Sequence, residues 1–301
     1  MSEMTVSDRA RGCILAGAIG DAMGGPFEGR PGPLQFHEHT DWSISDDSQL
    51  TLATCESIID VGVVSPECIA ARMVQWFRAR RITGMGASTL KALRDLEAGA
   101  HWALAGAKGE MSAGNGAAMR IAPLAFLLDP AMSQHRQTIR DVCRITHHNE
   151  EAYVGALAIV AAIRSLAFGQ SSSPNGLFQD VIEYLPDSRV RDRIAELTRL
   201  PDDLTVAEVA GQFGSSGYVV DSVPMALYAA RSIAHLPLGA VLRGAIEAGG
   251  DTDTIASMAG QIAGVWIGGS QISLEMIELL PNASDILRIA DEFAGTLEAL
   301  A

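Results

Sequence analysis

The stretch EAYVGALAIVAAIRSLA, Glu151 to Ala167, decides how the rest of the chain is read. It is apolar almost all round, with Arg164 as the one charge inside it. A helix with no polar stripe belongs at the centre of a helical bundle. A bilayer span needs ~20 apolar residues, and the apolar run Ala152–Phe168 is shorter and broken by Arg164, so a buried core helix is the better reading. Helical spacing recurs on both sides of it. Ser7 stands as a cap before Ala10, Cys13, Ile14 and Gly17. Ser65-Pro66 is a cap followed by an N1 proline, ahead of Ile69, Met73, Trp76 and Phe77. Ser88 opens a segment with Leu90, Leu93 and Leu96, and Thr205 with Glu208 forms a capping box before Val209 and Phe213. Further helices are expected over Val223–His235, Leu238–Ala248, Thr254–Ile267 and Ala283–Leu300. Strand alternation is missing, and the long loops are Gly25–Ser45 and Gly169–Gly176.

Composition agrees. Hydrophobic residues make up 48% of the 301 residues, charged ones 19% and aromatics 5%, with 30 glycines. That balance supports a large core of small residues, which suits closely packed helices better than a sandwich rich in Val, Tyr and Thr. With no linker, repeat or composition break, residues 1–301 read as one all-α domain of more than ten helices. The formal charge of −14 repels phosphate backbones and argues against a nucleic-acid partner. Cys13, Cys55, Cys68 and Cys143 are widely spaced, form no CxxC pair, and read as reduced thiols of a cytoplasmic protein. The polar segment Met1–Arg11 is unlike a signal peptide.

Two acidic clusters stand about two hundred residues apart, each at a helix start. They are Ser45-Asp46-Asp47-Ser48-Gln49, before a helix beginning near Leu50, and Gly249-Gly250-Asp251-Thr252-Asp253-Thr254. Capping accounts for one carboxylate at each start. A second carboxylate adds repulsion, and paired oxygen-rich starts suit a hard cation such as Mg²⁺ or Mn²⁺. Both readings stand for either cluster taken alone. The Asp251–Asp253 pair follows a helix, whereas the DxD of dehalogenase-type phosphatases follows a strand. It also lacks the further ligands of a calcium-binding EF loop, and no GxxxxGK[ST] occurs.

Glycine-rich segments at Gly114–Arg120, Gly84–Ser88 and Gly214–Tyr218 are either turns with helix caps or backbone cradles for phosphate, a device suited to an acidic protein. Cys143, His147 and His148 have spacing that allows a zinc pair, but no further soft ligands lie near. A histidine closing a helix or lining a ligand pocket is the favoured reading.

Taken in order, these segments resemble the ADP-ribosylglycohydrolase family over nearly the whole chain. Gly17-Ala18-Ile19-Gly20-Asp21-Ala22-Met23-Gly24 with Glu28 looks like its opening motif, and Ser45-Asp46-Asp47-Ser48 like its [ST]DD[TS] element. Gly114–Arg120 matches GNGAAMR, Thr146-His147 a TH pair, Gly217-Tyr218-Val219 a GYV element, and Gly250–Thr254 the terminal GDTDT. The resemblance implies an all-α fold and two divalent cations, Mg²⁺ or Mn²⁺. Its ligands would be Ser45, Asp46, Asp47, Asp251, Asp253 and Thr254. It implies Glu28, Asp47 and Asp251 as catalytic carboxylates and an ADP-ribose cleft formed by Gly86, Ser88, Gly114, Asn115, Gly116, His147, Gly217 and Tyr218, with Tyr218 at the adenosine end. Some members carry Asp where this chain has Asn115, which cannot ionise. The implied partner is an ADP-ribosylated protein, cleaved between C1″ of the distal ribose and an arginine nitrogen. Rival readings are cleavage of O-linked ADP-ribose, on serine or a small metabolite, and a non-catalytic ADP-ribose binder.

Overall fold

In the computed structural model, which describes residues 4–170, 176–201 and 203–300, helices occupy most of the chain. In order they are α1 (Val6–Gly24), α2 (Asp46–Val61), α3 (Pro66–Arg78), α4 (Ala87–Glu97), α5 (Trp102–Ala105), α6 (Ser133–Arg144), α7 (Glu150–Ala167), α8 (Leu177–Tyr184), α9 (Arg189–Leu197), α10 (Val206–Phe213), α11 (Val219–Ala230), α12 (Leu238–Glu247), α13 (Thr252–Ile267), α14 (Leu274–Glu278) and α15 (Ala283–Leu300). Extended structure among the described residues amounts to β1 (Ala107–Lys108) paired in parallel with β2 (His147–His148), and one bridge between Gly114 and Tyr218. The all-α expectation therefore holds. The central helix is also as expected: every residue of α7 is buried except Glu150, Glu151 and Arg164. The Gly169–Gly176 loop falls partly on residues 171–175, outside the described residues, as do Met1–Glu3 of the polar N-terminus.

The feature that positions the site is the antiparallel contact of α1 with α13. A Cβ on Gly20 would lie 2.1 Å from the Ala256 carbonyl oxygen, and one on Gly264 would lie 2.1 Å from that of Gly12. Backbones this close exclude any side chain larger than hydrogen, so the abundance of small residues in the core has a local cause. The register sets the C-terminal turn of α1, with Asp21 and Gly24, beside the N-terminus of α13.

Several helix starts differ from expectation. Thr5, not Ser7, caps α1, its Oγ1 accepting from the Asp8 amide at 3.1 Å. Helix α2 begins at Asp46 and α13 at Thr252, so the acidic pairs lie at and within the first turns instead of before them. Helix α4 starts at Ala87 on Gly86, which leaves Ser88 inside the turn. Helix α11 begins at Val219 and tolerates Pro224 in its early turns, ending at Ala230 with a 3₁₀ turn Arg231–Ala234 after it. Ser65 with Pro66 and the Thr205–Glu208 capping box are formed as expected.

Candidate active site

Asp21 joins the two distant acidic segments. It is fully buried, and its carboxylate accepts from the Ser45 amide (3.1 and 3.0 Å), Ser45 Oγ (2.9 Å), the Ser48 amide (3.1 Å) and Ser48 Oγ (2.6 Å). It thus holds the first turn of α2 against the end of α1, which itself abuts α13. Asp47 then reaches α13: its Oδ2 accepts from Thr254 Oγ1 at 3.2 Å and lies 3.0 Å from Ser45 Oγ, whose single hydrogen it shares with Asp21. Its Oδ1 is buried with no hydrogen-bond partner among the described residues.

Glu28 arrives by a different route. Phe27, 1% exposed and stacked on Phe36, anchors the start of the long loop. Just beyond, the Gly29 amide donates to the Gly250 carbonyl and the Gly250 amide donates to that of Arg30, both at 2.8 Å. Gly249 and Gly250 allow this pairing through left-handed φ values of 73° and 78°, and a Cβ on Gly250 would lie 2.0 Å from the Ser215 carbonyl oxygen. Glu28 and Asp251 are thereby neighbours. Oxygens of Glu28, Asp251 and Asp253 all lie within 4.8 Å of one another, as do those of Asp21, Asp47 and Asp253, so Asp253 belongs to both groups.

Burial raises the proton affinity of Asp253, Asp47, Asp46, Glu28 and Asp21, and neighbouring carboxyl charges add to it for the first four. Asp253 is pushed up to about 9, first by burial and then by the charges of Asp251 and Glu28. Burial lifts Asp47 well above the usual range, with Asp253 and Asp21 adding to it. Asp46 rises to about 7 through burial and Asp21, and Glu28 rises through burial and Asp251. Asp21 reaches about 6, because its hydrogen bonds partly offset its burial.

All of these carboxyls except the buried Asp21 line a cleft of about 490 Å³. Its walls include the acidic cluster of Glu28, Asp46, Asp47, Asp251 and Asp253 with Thr254, and also Gly86, Ser88, Gly114, Asn115, Gly116, His147 and Gly217. Two expected members stand outside it. Ser45 is behind the wall, its hydroxyl taken up by Asp21 and Asp47. Tyr218 pairs with Gly114 through its backbone, and its phenol oxygen accepts from Arg189 Nη1 at 3.3 Å. Thr89 and Gly29 also line the cleft, and nothing in their sequence context distinguishes them from ordinary helix and loop residues.

The glycine-rich wall works differently from a helix-start cradle. Asn115–Ala117 is a three-residue 3₁₀ turn, and the Asn115 amide is consumed by the Gly217 carbonyl at 3.1 Å. The Asn115 side chain is instead spent on the acidic cluster, Nδ2 donating to Asp251 Oδ2 at 2.6 Å. Gly116 has no left-handed φ; its constraint is the imidazole, since a Cβ there would lie 2.8 Å from His147 Cε1. His147 is buried and held down at about 3 by that burial and by Arg120, so it is a neutral ring. Burial also pushes the Cys143 thiol up to about 12, which does not suit a zinc thiolate.

No helix among the described residues is long and apolar enough to cross a membrane. The sequence profile of ADP-ribosylglycohydrolases matches residues 2–300. Among curated proteins, an ADP-ribosylarginine hydrolase Tri1 of Pseudomonas putida is 28% identical, aligned over 95% of this chain and 77% of its own. The ADP-ribosylhydrolase ARH3 of Bos taurus is 27% identical over 88% of this chain and 86% of its own. A solved chain titled ADP-ribosylglycohydrolase-related protein complex superposes with a TM-score of 0.74 at 24% identity, covering 97% of this chain and 98% of that one, a likeness of fold. Matched almost from end to end, and with its acidic helix starts and glycine loop facing one cleft, the chain belongs to the ADP-ribosylglycohydrolase family of hydrolytic enzymes.

Proposed function

We propose that the protein removes ADP-ribose from arginine side chains of a modified protein, with two divalent cations, Mg²⁺ or Mn²⁺, as cofactors. The observation that carries this reading is the convergence of Asp47, Asp251 and Asp253 from two helix starts around one cleft, with Asp253 shared between two carboxyl groupings. The donor set fits hard cations: it is all oxygen, Asp47 Oδ1 lacks a partner among the described residues, and burial, with repulsion added to it, raises the proton affinity of Asp47 and Asp253 in a metal-free fold. Asp46, Asp47, Asp251, Asp253 and Thr254 would hold the ions. Ser45 serves that group from behind as the cap of α2. Asp21, whose oxygens are already saturated by serine donors, is a brace more than a ligand. Bound there, such ions supply Lewis acidity toward hydroxyl and water oxygens.

The chain's own groups account for the rest. Glu28 is the exposed carboxyl of the cleft, and its raised proton affinity suits a proton shuttle at the scissile C1″ bond. Asp47 and Asp251 offer negative charge to an oxocarbenium-like centre, with Asp251 oriented by the Asn115 amide. Gly86, Ser88, Gly114, Gly116 and Gly217 shape the wall along which ADP-ribose lies, and His147 offers a neutral hydrogen bond there. Asn115 orients and does not ionise, so the acid–base role falls on Glu28. The surplus of carboxyls favours a cationic guanidinium over a neutral serine linkage. The same charge argues against nucleic acid as partner, and the four free cysteines accord with a cytoplasmic site of action by one domain spanning the chain.

The test is ADP-ribose release from matched arginine- and serine-linked peptides, with and without chelator. Arginine preference lost on chelation is expected. A tenfold preference for serine, about 1.4 kcal/mol in the barrier, would replace the linkage, and full activity after exhaustive chelation would remove the cations.

A further inference from the structure

Arg120 closes the glycine-rich loop and is the largest fully buried side chain among the described residues. Its Nη2 donates to Thr146 Oγ1 at 2.7 Å and, at 3.4 Å, to the Val142 carbonyl, while Nε and Nη1 meet no acceptor among the described residues. A buried guanidinium without a carboxylate is costly, and an apolar side chain of similar volume would pack there without that penalty. Thr146, also fully buried, lies with Oγ1 2.8 Å from His147 Nδ1.

The direction of this chain follows from donor inventory. Arginine only donates, so the Thr146 oxygen accepts from it and the single hydroxyl hydrogen is left for Nδ1. The reverse arrangement, Nδ1–H donating to the same oxygen, would leave that buried hydrogen without an acceptor among the described residues. The ring hydrogen therefore sits on Nε2, the edge facing the glycine wall, where a Cβ on Gly114 would lie 3.4 Å from Nε2. Because His147 lines the cleft, this edge is the one offered to a ligand.

We propose that Arg120 is a positioning residue: through Thr146 it holds His147 as the Nε2–H tautomer, aimed at an acceptor oxygen of ADP-ribose in the cleft. The ligand half rests on the function proposed above; the tautomer half does not. Long-range ¹H–¹⁵N spectra of the ligand-free protein should show His147 with a protonated Nε2 and a bare Nδ1. Thr146→Val and Arg120→Met should both lose that pattern to a tautomer mixture. Each should weaken ADP-ribose binding, measured by calorimetry with Mg²⁺ present, by about tenfold, and the double variant should be no worse than either. Thr146→Ser, which keeps the hydroxyl, should restore pattern and affinity. A wild-type Nδ1–H tautomer would overturn the proposal, as would an unchanged ring pattern in Thr146→Val or in folded Arg120→Met. If Arg120→Met fails to fold, the Val and Ser variants of Thr146 decide. If the unsubstituted protein does not bind ADP-ribose, the ligand half falls with the proposed function, and the ring spectra alone judge the positioning.

Discussion

Asp253 is the residue on which both carboxyl groupings depend, and it is 5% exposed. Asp253→Ala removes a ligand and a source of repulsion but little packing. Its kcat/KM should fall at least about a thousandfold, roughly 4 kcal/mol of transition-state stabilisation, while its helical circular-dichroism spectrum stays that of the parent. Activity within tenfold of the parent would show that the shared carboxyl is dispensable. Gly116 makes a second case. A side chain there meets the His147 ring before it meets any ligand, so Gly116→Val should weaken ADP-ribose binding by about tenfold or more. It should also displace the His147 ring signals, which distinguishes a pushed imidazole from a blocked cleft. The motif's glycines and acids were legible in the sequence. That Gly116 answers to His147, and Asn115 to Asp251, was not, because the partners are 31 and 136 residues away.

At the scale of elements, α1 acts as the strut between the two acidic helix starts. Its Gly20 lies one residue from Asp21 and faces the Ala256 carbonyl across a gap that a methyl group cannot enter. Gly20→Ala should force α1 and α13 apart, costing about 1–3 kcal/mol by overpacking, read from the urea midpoint at constant m. Because the same shift moves Asp21 relative to Asp253, the variant should also bind cations more weakly. A stability loss with unaltered cation affinity would mean that the strut does not set the site. Helix positions were legible from caps and periodicity, yet α2, α11 and α13 begin two to four residues earlier than their apolar patterns suggest. In α2 and α13 the early turn is polar because it faces the site, and in α11 the early turn Val219–Ser222 precedes Pro224, a residue usual at a helix start. Apolar periodicity registers neither.

For the whole molecule, the crowded carboxyls couple stability to pH and to metal. In the unfolded chain an Asp loses its proton near about pH 4, whereas folded, metal-free Asp253 keeps it to about 9 and Asp46 to about 7. The folded state binds the additional protons. Their contribution is therefore complete below about pH 4 and lost as pH rises toward about 9. The metal-free Tm should fall across that window, and Mg²⁺ or Mn²⁺, replacing the protons, should raise Tm more near about pH 8.5 than near about pH 6. Differential scanning fluorimetry at both values checks this. An equal rise at the two would disconnect cation binding from these carboxyls, and Asp253→Ala should flatten the difference.

The all-α architecture, the central burial of α7 and the identity of most cleft residues were determined by the sequence, because periodicity, caps and short motifs are local and print directly on the chain. The resemblance carried by those motifs fixed the family for the same reason. Only the tertiary structure decided that Asp21 braces α2, that Ser45 and Tyr218 stand outside the cleft, and that Asn115 spends its side chain on Asp251. It also decided that a buried arginine reaches His147 through Thr146. Each of these depends on which donors and acceptors the packing of α1 against α13 and of the glycine loop against β2 brings within about 3 Å. Such pairings join segments far apart in the chain, and no local pattern records them.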